Sequence, residues 1–116
     1  GHTPDSIVAF LPEAELLLMG DTIETPFPVI PEKSPLNRWI KELQRWESDS
    51  RVRTVVPSHG EIGGREILHH NINYLQNLQA GRKYALPAEM TDFYIETHQE
   101  NLRVCKNREL EEHNEL

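Results

Sequence analysis

One cysteine, Cys105, stands among the 116 residues, so no disulfide forms within the chain. That usage fits a reducing compartment, and the expected localisation is cytoplasmic. Long apolar runs are missing too. The longest, Ile7 to Leu11 and Leu16 to Met19, are strand-length, far short of the roughly 20 residues a membrane-spanning helix needs. No membrane partner is expected. Nor is there a basic stripe: 12 Lys and Arg against 19 Asp and Glu leave a net charge of −7, the wrong sign for phosphate backbones, so no nucleic-acid partner is expected. Internal repeats and low-complexity segments are also absent. What is there, 37% hydrophobic and 27% charged, reads as one globular domain over residues 1–116 with room for a single modest core.

Taken in order, Ser6 to Leu11 is a continuous apolar run, Pro12-Glu13-Ala14-Glu15 a turn, and Leu16 to Met19 a second apolar run. The pattern predicts a β-hairpin without apolar/polar alternation, and strands of that kind need apolar cover on both faces. The second strand ends at Gly20-Asp21. Four prolines, at positions 26, 28, 31 and 35, then predict an extended loop, with Ser34 capping a helix whose first turn holds Pro35. That helix, to about Ser48, carries Leu36, Trp39, Ile40, Leu43 and Trp46 on one face. A strand over 53–56 follows. Beyond it a helix from 64 to about 81 has the stripe Ile67, Leu68, Asn71, Ile72, Leu75 and Leu78, with Gly81 as its stop. A third helix from Thr91 or Asp92 has Phe93, Tyr94, Leu102, Cys105 and Leu110 as apolar points.

The stretch Val55 to Gly64 organises the rest. Two β-branched residues make the strand, Pro57 ends its ladder, and the glycines at 60, 63 and 64 let the backbone turn, leaving His59 where the strand stops. Three segments therefore end a strand or loop with a metal-capable side chain: Gly1-His2-Thr3-Pro4-Asp5-Ser6, Gly20-Asp21 and Ser58-His59-Gly60. Two imidazoles and a carboxylate suit zinc, iron or manganese. Other histidines read plainly. His69 and His70 are adjacent on a helix, point about 100° apart and cannot face one ion; His98 and His113 lie on the acidic third helix, where solvent exposure is expected.

In this order and spacing the three segments resemble the later metal-binding motifs of the metallo-β-lactamase superfamily: Gly-His-Thr-Pro-Gly/Asp-Ser, a strand ending in Gly-Asp, and Val-Pro-Gly/Ser-His-Gly. The resemblance covers Gly1 to about Leu78, and the third helix is similar, more weakly, to a C-terminal helix of some hydrolases of that family. It implies an α/β fold of α+β layered kind, the second half of an αββα sandwich, with a mixed or antiparallel sheet and about three helices. By the same resemblance His2 ligates a first metal, Asp21 bridges both and His59 ligates the second. Zn2+ is the implied cofactor, two ions per complete site, with Fe or Mn as alternatives. Asp5, Ser6 and Ser58 are candidates for hydrogen bonds that orient the ligands; Asp5 and Ser6 equally read as turn caps. The implied chemistry is hydrolysis of an ester, thioester, lactone, amide or phosphoester of a small-molecule substrate by metal-bound hydroxide, with no catalytic residue beyond the ligands.

Three departures qualify the resemblance. Asp5 and Ser58 stand where glycine is frequent, and Asp21 where one class of true β-lactamases carries cysteine, which points toward the broader hydrolases. The family's His-x-His-x-Asp-His signature is absent. The chain is therefore expected to correspond to the C-terminal half of the fold, with an incomplete site and no activity alone. A non-catalytic assembly module is the alternative. Either way, the two-faced apolar strands predict association with another copy or with the N-terminal half.

Overall fold

The computed structural model describes residues 8–86 and 90–114, the backbone alone for 108–114. Strand β1 (Ala9–Leu11) and β2 (Leu16–Gly20) form the expected hairpin, joined by a 3-10 turn (Pro12–Ala14) that Glu15 closes with φ of 52°. Helix α1 (Leu36–Glu47) carries the chain over to β3 (Thr54–Pro57), and α2 (Glu66–Gln79) and α3 (Asp92–Asn114) follow. The sheet order is β1-β2-β3, with β2 antiparallel to β1 and parallel to β3. It is a mixed α/β fold of three helices on a three-stranded sheet.

One face of the sheet builds the core. Leu17, Met19 and Val55 point into a cluster with Trp39, Ile40 and Leu43 of α1 and Leu68, Ile72 and Leu75 of α2. Register sends Leu18 and Leu11 to the other face, where they are 37% and 45% exposed. Within the described residues the helices cover one of the two apolar faces, because α1 and α2 pack on the same side of the sheet. Helix α1 begins a residue later than predicted. Pro35, not Ser34, occupies its N-cap position, and no side chain caps it; Ser34 is buried.

The proline-rich segment is extended, as its composition predicts, yet it is part of the core. Ile23, Phe27 and Ile30 are at most 2% exposed, and Phe27 stacks on Tyr74 of α2 at 4.5 Å. Such a segment has no strand beside it to satisfy its backbone, and two buried asparagines serve instead. Asn71 of α2 accepts from Glu24 N–H at 3.2 Å and donates to Glu24 C=O at 2.9 Å. Asn101 of α3 accepts from Ile30 N–H at 2.8 Å and donates to Pro28 C=O at 2.9 Å.

That second clamp explains why α3 departs in part from its predicted face. Of its predicted apolar points Tyr94 and Cys105 pack against the core, but Phe93 and Leu102 are 60% and 42% exposed, while Val104, His98 and Asn101 are buried. The expectation of an exposed His98 is therefore overturned: the ring is 7% exposed, and its Nδ1 lies 2.8 Å from the Tyr74 hydroxyl. Leu110 and the His113 side chain lie outside the described residues.

Candidate metal centre

Because β2 and β3 are parallel neighbours, with Gly20 paired to Pro57, the residues just past their C-terminal ends emerge at the same edge. Asp21 leaves one strand and Ser58-His59 the other. The two turns are tied through their backbones: Ser58 N–H donates to Gly20 C=O at 3.1 Å, and Thr25 N–H to His59 C=O at 3.1 Å. Gly60 has φ of +98°, and a Cβ there would lie 2.5 Å from Thr25 Cβ. Only glycine allows both that backbone and that approach.

Asp21 and His59 meet there with a third residue, Glu24. One carboxylate oxygen from each acid and one imidazole nitrogen all lie within 4.8 Å of one another. Asp21 and His59 are exposed; Glu24 is 4% exposed. Burial pushes the Glu24 carboxyl up from its ordinary value, partly opposed by His59 and by the Tyr94 hydroxyl, which donates to Oε2 at 3.3 Å. Two oxygens and one imidazole nitrogen on three converging side chains are a donor set that divalent zinc, manganese or iron accepts.

Of the residues singled out in the sequence, Asp21 and His59 come together; His2, Asp5 and Ser6 lie outside the described residues. Ser58 Oγ is buried and has no hydrogen-bond partner among the described residues, and neither does Thr22 Oγ1. His69 and His70 are exposed, their rings 6.3 Å apart. Glu24 and Tyr94 escaped sequence reasoning: Glu24 stands just before the proline-rich loop, and Tyr94 read as an apolar point. The one signal was the short spacing of Asp21-Thr22-Ile23-Glu24.

No protein-family model matches the chain. Among curated proteins it is 29% identical over 80 residues to "Metallo-beta-lactamase type 2" of Bacillus cereus, which covers 66% of this chain and 31% of that protein. The Bacteroides fragilis protein of the same name is 33% identical over 75 residues, covering 60% of this chain and 30% of that protein. Solved structures agree. A metallo-beta-lactamase from Pontibacter korlensis matches with a TM-score of 0.55 at 30% identity, covering 66% of this chain and 38% of that one. The chain belongs to the metallo-β-lactamase fold family. The DIM-1 metallo-beta-lactamase superposes with a TM-score of 0.60 at 26% identity, again covering 66% of this chain and 38% of that one. This chain spans about a third of the length of the curated metallo-β-lactamases it matches. Among the described residues no helix is long and apolar enough to cross a membrane.

Proposed function

We propose that this chain is part of a metal-dependent hydrolase in which Asp21, His59 and, by resemblance, His2 hold the metal. The observation that supports this most is the meeting of Asp21 and His59 at the shared edge of two parallel strands, in a chain similar to metallo-β-lactamases. A divalent cation held there would supply a Lewis acid and would draw the pKa of bound water down toward about 7. The chain's own contribution is placement. Hydrogen bonds between the two turns hold the donors in fixed relation, and the exposure of Asp21 and His59 leaves the centre open to a small-molecule substrate. Zinc suits the imidazoles, with iron or manganese as alternatives. The bond cleaved is an ester, thioester, lactone, amide or phosphoester. The remaining ligands come from a segment bearing His-x-His-x-Asp-His that completes the fold.

The test is hydrolysis of a chromogenic panel of these bond types by the complete polypeptide that contains this chain, with and without a chelator. Chelation, Asp21→Asn and His59→Ala are each expected to lower turnover more than ~100-fold, and the 116-residue chain alone is expected to be inactive. Turnover indifferent to all three would overturn the reading. The exposed Leu11 and Leu18 favour a second reading, a non-catalytic assembly module; oligomerisation without any hydrolysis by the complete polypeptide would select it.

A further inference from the structure

Away from the metal centre, α2 and α3 enclose a cavity of about 270 Å3, lined by Leu78, Gly81, Arg82, Leu102, Cys105 and Lys106. The 14 residues of α2 put roughly 20 Å of helix between it and the turn that carries His59. We propose that this cavity binds a small carboxylate with a short alkyl chain, the carboxylate on Arg82 and Lys106 and the chain against Leu78 and Leu102.

The end of α2 builds the cationic side. Gly81 N–H donates to Leu78 C=O at 3.2 Å and Arg82 N–H to Asn77 C=O at 2.9 Å, with φ of +70° at Gly81. This pair of bonds closes the helix and folds the residue after the glycine back beside the last turn, where an apolar side chain commonly packs. Here that residue is Arg82. Gln76 C=O is bonded as well, by Ala80 N–H at 3.0 Å, so these carbonyls already have backbone donors and neither Arg82 nor Lys106 is required as a cap. Among the described residues neither side chain forms an ion pair. Two such cations lining one cavity, on a chain of net charge −7, favour an anion between them.

The rest of the cavity selects what the anion is attached to. Leu78, 4% exposed, closes the floor, and Leu102, which folding leaves 42% exposed, forms a wall. Half-buried Cys105 adds a small apolar surface beside them. A bare inorganic anion uses the cations and leaves the leucines in water; an alcohol covers the leucines and leaves the cations unmatched. A carboxylate on a short chain meets both. Ligand pockets commonly run from about 300 to 1,000 Å3, so this one stands at the small end and limits the chain to a few carbons.

Calorimetric titration of the complete polypeptide that contains this chain with acetate, butanoate and hexanoate tests this. The second readout is the rate at which iodoacetamide alkylates Cys105, followed by the mass of the peptide that carries it. Affinity is expected to rise about threefold per added methylene, and saturating hexanoate to slow alkylation of Cys105 several-fold. 1-Hexanol, with the chain but no charge, is expected to bind at least ~10-fold more weakly than hexanoate. Arg82→Gln combined with Lys106→Gln is expected to weaken hexanoate at least ~10-fold with the melting temperature unchanged, since both side chains are exposed. Leu102→Asp, which keeps the cations and sets a negative charge on the wall, should weaken it to a similar extent. Equal affinity for acetate and hexanoate reduces the cavity to a plain anion site and overturns the proposal, as does parent-like binding by the double variant or by L102D, or hexanol binding as tightly as hexanoate. Heat of binding without protection of Cys105 places hexanoate elsewhere and overturns it too.

Discussion

His98 sits on a helix dense in charged residues, yet folding withdraws it from water, and the groups around it decide its protonation. Phe27, Tyr74 and Tyr84 surround the ring. Asn101 donates to the Tyr74 hydroxyl at 2.9 Å, which leaves the hydroxyl's own proton for His98 Nδ1; the neutral imidazole then carries its proton on Nε2. Burial lowers the His98 pKa from 6.5. The unfolded chain consequently binds more protons as pH falls, so the stability held above about pH 6.5 is lost below it until the folded-state pKa is passed. Thermal melts between about pH 7.5 and about pH 5, either side of the ordinary imidazole pKa, are expected to show this decline, and His98→Gln, which keeps an acceptor for Tyr74, is expected to flatten it. An unchanged slope in H98Q would place the loss elsewhere. Neither His98 nor Glu24 was legible as a buried residue in sequence, because each is buried by partners from other elements: Tyr74 of α2 for one, Asn71 of α2 and Tyr94 of α3 for the other.

At the level of elements, the turns after β2 and β3 act as one unit because Gly60 lets them touch. Gly60→Ala adds a Cβ 2.5 Å from Thr25 Cβ at a positive φ of 98°, and its expected cost is on the order of 2–3 kcal/mol. Denaturant unfolding measures that loss. Metal titration of the same variant should show weakened affinity, since the strain falls between the segment bearing His59 and the one bearing Asp21 and Glu24. The sequence did announce these turns, through Pro57, the glycines and the stop at Gly20-Asp21, and it announced α1 and α2 through their apolar stripes. Helix α3 was harder to read. Its buried face includes His98 and Asn101, whose polar atoms satisfy a tyrosine hydroxyl and the backbone of the proline-rich segment, so apolar periodicity pointed instead to Phe93 and Leu102, which are exposed.

For the molecule as a whole, the sheet face away from the helices carries Leu11, 45% exposed, and Leu18, 37% exposed, beside Leu16 and Val56 in register. Contiguous apolar surface of this kind is seldom left in water. The chain is expected to associate through it, with another copy or with the remainder of the fold. Light scattering is expected to show a mass above that of a monomer, and Leu18→Lys to return it to the monomer with little change in melting temperature. A parent chain that is monomeric at high concentration would show that this face stays solvated. The sequence by itself determined the strand and helix order, the ends at which Asp21 and His59 emerge and the likeness to metallo-β-lactamases, because these follow from local periodicity, breakers and short motifs. Only the tertiary structure decided that Glu24 joins Asp21 and His59 and that α3 buries His98 and Asn101. Each of these depends on which distant groups are left to satisfy a buried backbone or charge, and no local pattern records that.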